Sequence, residues 1–150
     1  MITVVVAAAV ILYTGRFGLL TLTDAKTGEV YARYLMHGEE EFSVGFIHSV
    51  NKSPVIDHYQ PERDGIYVVK TVYYGFGAGV QTLIEEGQTL SYGDDGSMIV
   101  TGFDQKIPDL IYFVGTVSDH TLTIADRKEI SLRELCGRNS MVRFSYRRLL

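Results

Sequence analysis

At 150 residues the chain has the length of one domain with a real core, and 46% apolar against 21% charged residues is a globular balance. A formal net charge of −4 with a pI near 5.5 argues against nucleic acid as the main partner, because phosphate binding needs a basic stripe and the sequence shows none. The most basic stretch, Arg143 to Arg148, alternates with apolar residues and reads as the solvent side of a strand. Cys136 is the only cysteine, so no intramolecular disulfide is available and cysteine usage leaves the compartment open.

The chain divides into a hydrophobic N-terminal segment, residues 1–16, and an all-β domain, residues 17–150. Ile2 to Tyr13 is an unbroken apolar stretch apart from Thr3. It is too short to cross a bilayer, which takes about 20 residues, and no basic residue precedes it as in a secretory signal. An A-x-A match at Ala7 and Ala9 would leave too short a peptide to be a cleavage site. Two readings stand: a Val-rich and Ile-rich buried first strand, or a membrane anchor or uncleaved signal whose start lies upstream. The sequence favours the second, since such a run is unusual at the free end of a soluble domain. Arg16 is the only basic residue nearby, so charge does not orient it.

After Arg16, short alternating segments follow one another between turn residues. In order they are FGLLTLTD, VYARYLM, EFSVGFIHSV, PVIDHYQ, GIYVVKTVYY, QTLSY, SMIVTGF, LIYFVG, HTLTI and MVRFSYRR. About ten strands at this spacing predict a single antiparallel β-sandwich or barrel. One short helical turn is expected in SLRELCGR, with Ser131 as N-cap, Glu134 three residues on and Gly137 as the stop. GDDG, Gly93 to Gly96, is a hairpin turn and too short for a calcium loop.

Chemistry concentrates between Val44 and Gln60. One face of the first strand there carries Phe42, Val44, Phe46, His48 and Val50, and the next strand places Val55, Asp57 and Tyr59 on one side. Pairing Val50 with Val55 across a loop from Asn51 to Pro54 sets His48 opposite Asp57, within hydrogen-bond reach on the core side. His120 shares its face with Leu122 and Ile124, so His48 and His120 point inward, while His37 and His58 face solvent. Three readings remain open for His48 and Asp57. They form a satisfied buried polar pair, a ligand site in which Asp57 orients His48, or a catalytic or metal site with His120 as third member. Ser49 points to the opposite face from His48, which argues against a Ser–His nucleophile pair.

Tyr73 to Gly87 has glycines at Gly75, Gly77 and Gly79. It is either a bulged corner or a loop whose backbone N–H groups hold a carboxylate or phosphate beside the histidines, with Phe76 as lid or anchor. The third glycine of a nucleotide loop and its lysine are missing.

His48, Ser49, Val50, Pro54, Val55, Asp57 and Tyr59, then Phe76, Gly77, Ala78 and Gly79, then His120, resemble the hallmarks of the bacterial domain of unknown function 1850 family. The likeness runs in order over roughly Leu19 to Tyr146. Two positions depart from the pattern: Asp57 stands where the family often has glutamate, and Gln81 where proline is usual after the glycine loop. Members are commonly encoded beside, or fused to, membrane permeases of the TRAP type that use TAXI-class solute receptors. The resemblance implies a small protein with an N-terminal hydrophobic segment and an extracytoplasmic domain, and gives no established reaction. The leading expectation is a membrane-anchored, non-enzymatic accessory of such a transporter, with no cofactor expected. It would bind a partner, the permease or its solute receptor, or a small anionic solute. The expected ligand-binding residues are His48, Asp57, Tyr59, Phe76, Gly77, Gly79 and His120. The alternative is a hydrolase or metal-dependent enzyme using His48, Asp57 and His120.

Overall fold

The computed structural model describes residues 17–38, 40–50, 52–75, 84–125 and 127–149. Among them the architecture is the expected all-β one: eleven antiparallel strands in two sheets and one short helix. Ile2 to Tyr13 and the glycines Gly77 and Gly79, with Phe76, lie outside the described residues.

The four-stranded sheet runs in the order β2 (Val30–His37), β1 (Phe17–Asp24), β11 (Ser140–Arg148), β8 (Leu110–Val114). The seven-stranded sheet runs in the order β10 (Ile130–Ser131), β9 (His120–Ile124), β3 (Phe42–Ile47), β4 (Pro54–Glu62), β5 (Gly65–Tyr73), β7 (Met98–Ile107), β6 (Thr89–Tyr92). Alternation explains how they stack. In β1, Leu20 and Leu22 are fully buried between partly exposed neighbours, and in β11 Val142 and Phe144 do the same. They meet Phe42 and Val44 of β3, Tyr59 of β4, and Leu122 and Ile124 of β9 in one continuous core. Phe144 and Phe42 lie parallel across it with centroids 5.7 Å apart, and Phe42 stacks in turn on Tyr59 at 5.2 Å.

Three local details differ from the strand pattern. β10 has only two residues and exists through its pairing with Leu122 and Thr121, too little for periodicity to show. β7 continues four residues past Phe103 because Gly102, at φ 82°, takes the kink while pairing with β5 shifts by a bulge. A side chain there would strike the backbone oxygen of Gly87. β3 stops at Ile47 instead of running to Val50, which determines the site geometry.

The helix, α1 (Leu132–Cys136), matches its expected ends: Ser131 Oγ accepts from the Glu134 N–H at 3.0 Å, and Gly137 closes it at φ 83°. The GDDG turn forms the β6–β7 hairpin, with the Gly93 N–H donating to the Ser97 carbonyl.

Candidate functional site

β4 pairs with β3 four residues away from the expected register: Phe42 faces Tyr59, Val44 faces Asp57, and Phe46 faces Val55. His48 therefore does not pair with Asp57. It lies beyond the end of β3, four residues past Val44 and so roughly 13 Å further along the strand direction. An even shift keeps every side chain on its expected face, which is why face and register parted company. The cause is the connection. His48 to Ser53 form a closed loop in which the His48 N–H donates to the Ser53 carbonyl and the Lys52 N–H returns to the His48 carbonyl. Lys52 takes a left-handed φ of 56° to close it, and pairing resumes only at Pro54.

With His48 elsewhere, Asp57 finds hydroxyl partners. Its cross-strand neighbour Thr71 donates to Oδ1 at 2.9 Å, and Tyr112, reaching over from β8 in the other sheet, donates to Oδ2 at 2.8 Å. Tyr59 Oη lies 2.6 Å from Tyr112 Oη. Tyr112 has one proton and gives it to Asp57, so Tyr59 must donate to Tyr112. The result is a directed chain, Tyr59 to Tyr112 to Asp57, joining the sheets. Burial raises the carboxyl pKa of Asp57 above the usual aspartate value, and the Tyr112 and Thr71 bonds offset only part of it. Burial likewise pushes both phenols far above the ordinary tyrosine range.

His120 adjoins this chain. Its ring stacks on Phe46, its cross-strand neighbour, at 5.2 Å and lies tilted against Tyr112 at 5.8 Å. Burial lowers its pKa and the Arg133 charge adds to that, while the nearby Asp119 charge acts the other way. Its Nδ1 is buried and has no hydrogen-bond partner among the described residues. The same holds for Nε and Nη2 of Arg133 on α1. Asp119 is fully engaged: Oδ1 accepts from the N–H groups of His120 at 2.7 Å and Arg133 at 3.0 Å, and Oδ2 from the Ser131 hydroxyl at 2.5 Å. Burial alone would raise its pKa, but those bonds, with the Arg133 charge, hold it below the usual value.

His120 and His48 meet in one place, the wall of a groove of about 780 Å³ between the His48–Ser53 loop and residues 115–119. Lys52 joins them on the polar side, and Phe46, Ile47, Phe113 and Val117 supply the apolar side. Phe113 is 56% exposed and Val117 87%, high values for such side chains in a monomer. His48 Nδ1 accepts from the Val50 N–H at 3.3 Å, so its neutral ring carries its proton on Nε2.

Of the expected site residues, then, Asp57, Tyr59 and His120 gather around Tyr112, while His48 shares only the groove with His120. His58 is on the outer face as expected, but only 23% exposed, 3.8 Å from Glu41, and lines a separate dip of about 470 Å³ over Gly45. Burial, with Lys70 opposite it, lowers its pKa to about 4. The reading missed Tyr112, Asp119, Arg133 and Lys52. Tyr112 had a signal, since it shares its strand face with Leu110 and Val114, and an inward phenol needs a partner. Among the described residues, no three His, Cys, Asp or Glu side chains are placed to hold one metal ion.

No curated protein and no solved structure matches the chain. A family model does, the Domain of unknown function (DUF1850), over residues 42–132. That span holds every strand of the seven-stranded sheet together with β8, and so contains Asp57, Tyr59, Tyr112, His120 and the whole groove. Matched over more than half its length, the chain belongs to the DUF1850 family.

Proposed function

We propose that this protein is a non-enzymatic accessory of a TRAP/TAXI-type solute transporter, held to the membrane by its N-terminal apolar segment with the β domain on the extracytoplasmic side. The groove between His48 and His120 is its working surface, engaging a small anionic solute or the transporter itself. One observation carries this reading: an open groove lined together by exposed apolar side chains, two histidines and a lysine, one of the histidines having a buried nitrogen with no partner among the described residues. Such concave, mostly apolar sites with a few convergent polar groups are where small molecules bind. The hydrogen-bonded Tyr59–Tyr112–Asp57 chain fixes the floor behind His120 and needs no chemistry of its own.

The enzyme alternative required His48, Asp57 and His120 to converge. The register separates His48 from Asp57, and both Asp57 oxygens accept from hydroxyls, so the triad that reading needs is not assembled.

Deleting the coding sequence in its native host tests the proposal. Uptake of the transporter's solute should fall while the permease level stays constant. Unchanged uptake contradicts it.

A further inference from the structure

Charge and shape within the groove narrow what it takes. Among the described residues its only carboxylate is Asp119, whose oxygens already hold three donors. The positive charge lining the groove is the Lys52 ammonium, beside His120, with the Arg133 guanidinium close enough to influence the charge of both His120 and Asp119. This local bias is set on a chain whose overall charge is −4, so it is not a by-product of composition. His120, a lining residue, is a polar ring whose buried Nδ1 has no hydrogen-bond partner among the described residues. Phe46, Ile47, Phe113 and Val117 also line the groove, and their side chains, which make no hydrogen bonds, suit an apolar body.

We infer that the groove binds a small organic monocarboxylate with an aromatic or branched apolar body, its carboxylate held at His120 and Lys52 and its body laid on Phe113 and Val117. A bare anion leaves the apolar wall wet, and an amine of the same shape meets like charge. This rests on the reading of the groove as a solute site, and the volume of about 780 Å³ falls within the roughly 300–1,000 Å³ of small-molecule sites.

The test is calorimetric titration of the full-length chain with phenylacetate, 3-methylbutanoate, acetate and phenethylamine. Phenylacetate or 3-methylbutanoate should bind at least tenfold more tightly than acetate, and phenethylamine should give no saturable heat. His120→Phe keeps the ring stack and removes the nitrogen; it should weaken phenylacetate at least tenfold. Should that variant not fold, Lys52→Gln on the exposed loop should weaken it severalfold. Equal or tighter binding of phenethylamine, unchanged affinity in the folded variants, or no binding by either apolar acid overturns the inference. The uptake experiment fails separately. Carboxylate binding without any loss of uptake on deletion removes the transporter role and leaves the site. Loss of uptake without carboxylate binding removes the ligand class and points to a protein partner.

Discussion

Asp57 bonds Tyr112 and Asp119 bonds the backbone of His120, two rings in contact with each other, yet the two carboxylates hold their protons oppositely. Asp57 is surrounded by neutral hydroxyls, and burial drives its pKa up. Asp119 is also penalised by burial, but two backbone N–H groups, a hydroxyl and the Arg133 charge more than compensate. Depth, donor number and charge separate them: Asp57 lies deeper with two hydroxyl donors, while Asp119 has three donors and the Arg133 charge. N–H groups fixed at the starts of β9 and α1 cannot turn away, and a guanidinium adds a full charge. The consequence is functional. Asp119 is a settled anion that locks the groove wall, while Asp57 belongs to a sheet-to-sheet tie out of the solute's way.

The largest effect should come from Asp119→Ala. It strips three donors of their acceptor and removes a carboxylate whose charge acts on Arg133, so urea unfolding should show a loss of about 3 kcal/mol. A loss near that of an average surface substitution would mean the loop is not held by this residue. Tyr112→Phe comes next. It breaks the chain at its centre, unpairing both Asp57 and Tyr59, and should cost about 2 kcal/mol in the same assay.

His58 sharpens the contrast through pH. Its folded pKa is depressed to about 4 from the usual 6.5, so its contribution is fully present above pH 6.5 and is lost as pH falls toward 4. His58→Gln should flatten the acid loss of stability across that window by roughly 1–2 kcal/mol, because the unfolded state no longer takes up that proton preferentially. An identical slope in the variant would show that other groups cause the acid loss. Asp57 has the reverse sign. With a raised folded pKa it stabilises fully below the usual 3.8 and loses that contribution as pH rises through the folded value. Asp57→Asn should therefore change stability by no more than about 1 kcal/mol at pH 7, and compare less favourably with the parent as pH falls toward 4. Thermal midpoints in buffers at pH 7 and 4.5 read this directly, and a large loss at pH 7 alone would assign Asp57 a fixed negative charge.

Alternation along strands was enough to place Leu20, Leu22, Val142 and Phe144 in the core and to point His120, Asp57 and Tyr59 inward, because side-chain direction has a period of two. The same period made the His48–Asp57 pairing invisible to scrutiny, since registers four residues apart give identical faces. Only the length of the His48–Ser53 loop decides between them, and that depends on Lys52 adopting a left-handed backbone, which a lysine does not advertise. Arg133 and Asp119 were hidden for a different reason. Their proximity is a product of α1 folding back beside β9, a tertiary contact that no local pattern encodes.

The groove is the central claim, and the histidine imidazole resonances of the full-length chain, followed by NMR during a phenylacetate titration, test it most directly. The account predicts saturable shifts at His120 and His48, with His58 on the outer face and His37 beside Phe17 unmoved. Shifts confined to His58 or His37, or no saturable shift at any of the four, would contradict it.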